Sequence, residues 1–206
     1  MSDAQRALSS SDILPLSLRG PAPANVVAGF GFWLFLLSDI VLFAALFAAY
    51  AVLSDQTAGG PSGPELFDRK HVLVETVCLL ISSFTSGLGA LAARRSNSLA
   101  TVFWFLVTMA LGATFLVLEV QEFAQLLAQG AGPSRSAFLS AFFTLVGTHG
   151  LHVACGIIWL VIMLVQLAMF GFHPMVQRRL FCFGLFWHAL DIVWVGVFTI
   201  VYLGAH

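Results

Sequence analysis

Five apolar stretches, each at least as long as a bilayer core is thick, take up most of the chain and leave little room for any soluble fold. They run approximately from Gly29 to Leu53, His71 to Ala93, Leu99 to Gln121, Ala137 to Phe170 and Leu180 to Leu203. A helix rising 1.5 Å per residue needs about 20 mostly apolar residues to cross a hydrocarbon core of about 30 Å. Every stretch meets that length, so the sequence predicts an all-α membrane protein, a bundle of five transmembrane helices over residues 29–206. Composition points the same way, because 59% of the 206 residues are hydrophobic and 9% are charged. A soluble domain carries about 25% charged residues.

The connections SDQTAGGPSGPELFDRK, RRSNS, GAGPSRS and GFHPMVQRR are short, which makes sequential helices antiparallel neighbours and leaves no extramembrane domain. The third and fourth stretches exceed the core, so LEVQEFAQLLAQ and the residues after Gln166 are expected in the interface. Residues 1–28, rich in Ser, Ala and Pro, read as a mobile tail without a secretory signal. Six Lys and Arg residues (Arg6, Arg19, Arg94, Arg95, Arg178, Arg179) fall on one side and three (Arg69, Lys70, Arg135) on the other. The excess of positive charge predicts a cytoplasmic N-terminus and a periplasmic C-terminus.

Several function classes drop out early. A net charge of -1, with basic residues in pairs at segment ends, disfavours nucleic acid as a partner. Cys78, Cys155 and Cys182 lie singly inside apolar runs, where cysteine behaves as a small hydrophobe. No internal repeat is visible, and an odd helix number argues against an inverted-repeat transporter.

The informative residues are the ionisable ones inside the runs, where a central charge costs about 2.5–3.5 kcal/mol on insertion scales. Asp39, His149, His152, His188 and Asp191 fall near mid-bilayer, and Glu75, Glu119 and Glu122 form a second layer toward the outer face. Glu119 with Glu122, His149 with His152, and His188 with Asp191 are spaced three apart, so each pair shares a helix face. Those faces are expected to point inward, with Asp39 meeting His149, His152 or His188 across helices. In the second stretch Ser82, Ser83, Ser86 and Gly87 recur at four-residue spacing, which permits close helix packing in lipid.

Three chemistries compete with plain packing. Two histidines on separate helices would suit haem ligation, but no helix shows the spacing of a haem pocket. A dinuclear metal site uses Glu-x-x-His pairs, whereas this chain has Glu-x-x-Glu, His-x-x-His and His-x-x-Asp. A proton-carrying chain of Asp and His fits the layer but leaves the cytoplasmic third dry. The pattern favours a polar network that holds the bundle in register, with secondary tuning of a partner's proton chemistry.

With those residues in place, the sequence resembles subunit III of the haem-copper terminal oxidases throughout the region after residue 28. The resemblance is carried by GFWLFLLSDIVLFAALFAAYAVL, LVETVCLLISS, LEVQEF, FLSAFFTLVGTHGLHVACGIIW and FWHALDIVW. TAGGPSGPELFD and GPSRSAFLSAFFTLVGTHGLHV are especially similar to the cytochrome bo-type ubiquinol oxidase branch. The resemblance implies an accessory subunit of a proton-pumping quinol oxidase in a bacterial inner membrane, with no redox centre of its own. Two haems and a copper would sit in subunit I; subunit II, a small subunit IV and membrane lipids would be partners, with phospholipid bound. Asp39 matches a membrane-buried carboxylate of the family, commonly Glu, and Glu122, His149, His152, His188 and Asp191 match family positions without catalytic roles. Relatives in the cytochrome c oxidase branch have seven helices, the first two forming a lipid-filled cleft with the rest, and the five here favour a quinol oxidase. The rival readings are subunit III of a cytochrome c oxidase, an accessory protein of a nitric oxide reductase, and an autonomous membrane haem or metal protein.

Overall fold

The computed structural model describes residues 24–59 and 69–204. Five long helices account for nearly all of them: α1 (Ala24–Leu53), α2 (Arg69–Arg94), α3 (Ser98–Ala128), α4 (Ala137–Phe170) and α5 (Pro174–Val197). The last continues as a π-helical segment, Phe198–Leu203. All five are long and apolar enough to cross a membrane.

Helix ends follow capping chemistry more closely than hydropathy. Asn97 accepts from the Ala100 amide at 3.1 Å to start α3, and Ser136 accepts from the Leu139 amide at 3.2 Å to start α4. At α5 the cap is His173, followed by Pro174 in the first turn, so the helix begins six residues before the apolar boundary at Leu180. Likewise α3 runs on through LEVQEFAQLLA, since those residues keep their backbone bonds helical while their side chains change character. At the other end α1 begins at Ala24, which takes residues 24–28 out of the expected tail; residues 1–23 lie outside the described residues. Gly171, at φ +60°, ends α4 in a conformation that a side chain would strain.

Two compact units divide between Phe35 and Leu36. In the first, the described part is the beginning of α1, with Trp33, Leu34 and Phe35 exposed and the Phe32 and Phe35 rings 5.7 Å apart. In the second, α2 packs against α3 and α5, and α4 packs against the same two, so four helices close a ring. The rest of α1 joins this unit along a narrow seam: its buried residues Leu36, Phe43 and Tyr50 recur every seven positions, as in a coiled-coil contact. Phe43 meets His152, Tyr50 meets Phe138, and Phe47 lies over Gly196.

Bulky aromatic side chains set against glycines close the ring. Trp187 of α5 occupies a slot between Gly112 of α3 and Gly156 of α4, where an added Cβ would come within 2.8 and 3.0 Å of the indole. Its Nε1–H donates to Ser82 Oγ of α2 at 3.0 Å, so one side chain touches three other helices. One turn pair later Trp194 donates to Thr76 Oγ1 at 3.1 Å. Between α2 and α3, Thr85 and Thr108 share a hydroxyl bond of 2.9 Å. Apolar burial does not drive helices together in lipid, so van der Waals fit and such bonds, about 0.6 kcal/mol each on average, hold the ring.

Candidate functional site

Of the residues expected near mid-bilayer, Asp39 and His152 meet across α1 and α4, with Oδ1 and Nε2 3.9 Å apart and both side chains about one-fifth exposed. The His152 Nδ1–H donates to the Thr148 carbonyl at 2.7 Å. That bond fixes the ring orientation and leaves Nε2 facing the carboxyl, so a proton at Nε2 makes an ion pair and its loss leaves two acceptors opposed.

His149, three residues earlier, points the other way. It is fully buried, and among the described residues neither ring nitrogen has a hydrogen-bond partner. The rings of Trp194, Phe115 and Phe43 surround it at centroid distances of 5.1, 5.7 and 6.3 Å. Among the described residues, aromatic carbon therefore lines the space beside the imidazole.

The glutamate layer is more tightly sealed. Glu75 is inaccessible, with the His71 Nε2 3.5 Å from its Oε1 and no hydrogen bond to either oxygen among the described residues. His71 Nε2 also lies 3.3 Å from the Leu118 carbonyl, tying α2 to α3. Glu122 accepts from the Tyr202 hydroxyl at 2.8 Å. Glu119 presses against Gly150 of α4, where any Cβ would collide with its carboxyl group. A Cβ there could be admitted only if the buried Glu119 carboxyl moved aside. The three glutamates interact electrostatically with one another across α2 and α3.

His188 departs from the inward expectation. Its side chain is exposed on the outside of the α2–α5 pair, and Asp191 beside it is half-buried. The reason is that the inward face of α5 at this level is taken by Trp187, Leu190 and Trp194, all buried. Three-residue spacing places His188 and Asp191 together and does not decide which way they point. His188 Nδ1 instead pairs with Ser83 Oγ at 2.7 Å. The small-residue stripe of α2 divides in the same way. Ser82, Ser83 and Ser86 are buried, whereas Gly87 is partly exposed and an added Cβ there would meet nothing within 4 Å of the described residues.

Sequence reasoning passed over His71, Thr76, Trp187, Trp194, Tyr202 and Gly150. The i, i+4 spacing of His71 and Glu75 and the seven-residue spacing of the two tryptophans were available signals; the Gly150–Glu119 notch joins two helices and leaves none. Cys78, Cys155 and Cys182 are free thiols. Among the described residues no group of three or more His, Cys, Asp and Glu side chains is arranged to hold a metal ion.

Comparison with known proteins places this arrangement. Residues 12–206 match the family model described as cytochrome c oxidase subunit III. The chain is 53% identical over 174 residues to the cytochrome bo(3) ubiquinol oxidase subunit 3 of Pseudomonas aeruginosa, covering 84% of this chain and 83% of the relative. It is 46% identical over 173 residues to the quinol oxidase subunit 3 of Bacillus subtilis, covering 84% and 85%. A protein of Bacillus sp. strain PS3 named cytochrome c oxidase subunit 3 is 44% identical over 173 residues, covering 84% of each.

Proposed function

The chain belongs to the cytochrome c oxidase subunit III family, and from that premise we propose that it is the accessory third subunit of a proton-pumping haem-copper quinol oxidase. The observation that carries this reading is the high identity, over most of both chains, to relatives named for quinol or ubiquinol oxidation. In the complex, quinol oxidation is coupled to reduction of oxygen, and the redox centres, two haems and a copper, reside in subunit I. Subunit II and a small subunit IV complete the assembly in a bacterial inner membrane, with the N-terminus of this chain cytoplasmic and its C-terminus periplasmic.

The geometry suits a supporting role. Interhelical pairs such as Trp187–Ser82, Trp194–Thr76 and Tyr202–Glu122 spend their polar groups on register, and His149 is walled in by aromatic rings. What this subunit contributes is a stable surface for assembly, lipid binding beside it, and support of proton uptake. Support for a part in proton uptake comes from Asp39 and His152, which lie 3.9 Å apart and are both partly exposed. The Asp39→Asn variant is expected to assemble fully, because no short hydrogen bond is lost, while the protons pumped per oxygen reduced fall.

A second reading, subunit III of a cytochrome c oxidase, is favoured by the relative of that name in Bacillus sp. strain PS3. Purification through a tag on this chain in mild detergent separates the two. The expected preparation consumes oxygen with ubiquinol and is inert to reduced cytochrome c. A copper-binding domain in the co-purifying second subunit would overturn the quinol assignment. A haem absorption band that stays with this chain after its partners are stripped away would overturn the accessory role altogether.

A further inference from the structure

At the end of the bundle where α2 begins, buried polar groups from three elements converge. Glu75 of α2 and Glu119 and Glu122 of α3 are closed off from solvent, and Tyr202 joins them from the π-helical segment. A π-helix is rare and recurs at functional sites; this one carries the Tyr202 hydroxyl to within 2.8 Å of Glu122. The three carboxyls and the phenol all interact electrostatically with one another.

What sets the cluster apart is Glu75, a fully buried side chain aimed into it. Neither of its carboxyl oxygens has a hydrogen-bond donor among the described residues, and Glu119 Oε2 has none either. The other titratable groups around them are His71 and Cys78 on α2 and Tyr202. From α4, Gly150 meets Glu119 and the adjacent His149 is enclosed by aromatic rings; from α5, the Trp194 indole bonds Thr76 beside Glu75. Fully ionised, three acids would place three negative charges within the spans, and the basic side chain in contact with them, His71, offsets one at most. Uncompensated charge there is costly. A proton taken up by a carboxylate removes its charge and turns an acceptor without a partner into a donor.

A route for that proton is also built. His71 is about a quarter exposed, and its Nε2 lies 3.5 Å from Glu75 Oε1 and 3.3 Å from the Leu118 carbonyl. A carbonyl only accepts, so Nε2 carries the hydrogen. Glu75 is one turn further into α2 than His71, about 6 Å along the axis.

We propose that Glu75, Glu119 and Glu122 form a proton-holding site that loads and unloads through His71. In loading, the imidazole accepts a proton from water at Nδ1 while its Nε2 proton passes to Glu75 Oε1; unloading is the reverse. Each passage neutralises one carboxylate and leaves the ring neutral. The site is separate from the Asp39–His152 pair and does not rest on the oxidase assignment.

The test reads the complex, purified through a tag on this chain, by infrared difference spectroscopy. Wild type minus Glu75→Gln at neutral pH is expected to show the C=O stretch of a protonated carboxyl, and Glu119→Gln and Glu122→Gln should each shift that band. His71→Gln keeps a donor for the Leu118 carbonyl but cannot relay a proton, so exchange of the band in D2O should slow at least tenfold. Should Glu75→Gln fail to accumulate, Glu75→Asp retains the acid and must move the same band. A difference spectrum with carboxylate stretches alone would overturn the proposal, as would a band that Glu75→Asp leaves in place or exchange as fast in His71→Gln as in wild type. A chain that brings no oxidase subunit with it, yet keeps the band and its dependence on His71, would overturn the functional assignment and still support the proton site.

Discussion

Two polar clusters built around α2 and the α5 end of the chain use the same kinds of side chain in opposite settings. Around Tyr202, the acids Glu75, Glu119 and Glu122 are buried within the ring of helices, and Tyr202 itself supplies a donor. Around Ser83, the groups of His188 and Asp191 open outward, and one Asp191 carboxylate oxygen finds no donor among the described residues. The contrast teaches that an ionisable residue in a membrane span signals a cost to be offset, and that interior and surface settings leave different shares of it to be met.

Changes that attack the interior should separate it most sharply from the surface cluster. Trp187→Ala empties the slot between Gly112 and Gly156 and removes the bond to Ser82. A loss of about 3–5 kcal/mol is expected, seen as a collapse in the thermal stability of the solubilised chain by fluorescence-detected size exclusion. Next comes Gly150→Ala, whose methyl group would collide with the Glu119 carboxyl. Overpacking of this kind costs about 1–3 kcal/mol, and Glu119→Ala in the same chain should recover much of it. Tyr202→Phe removes only a hydroxyl, so a loss of about 1 kcal/mol is expected with the helical content unchanged by circular dichroism. The smallest effect belongs to the outer cluster: Asp191→Asn should move the stability of the chain by no more than about 0.5 kcal/mol. A large loss for Asp191→Asn, equal to that for Gly150→Ala, would erase the distinction between the two clusters.

Much of this architecture was legible from residue types alone. Length and apolarity decide that there are five spans, because lipid tolerates no unpaired backbone and allows few other solutions. Boundaries were harder, since Pro174 begins a helix while the residues after it, QRR, read as loop by hydropathy. The depth of each acid and histidine follows from counting along a span. Direction does not, because α5 carries Trp187 and His188 side by side and packing volume, not polarity, decides which of them turns inward. The close contacts at Gly112, Gly150 and Gly156 were illegible for a related reason. Each is defined by the partner across the interface, a tryptophan or a glutamate some thirty or more positions away.

The Trp187 slot also bears on the order in which the molecule is made. Its walls, on α3 and α4, leave the ribosome first, and the indole that fills them arrives with the last helix. Among the described residues the contacts at Gly112, Gly156 and Ser82 all converge on that one indole, so closure of the ring waits on α5.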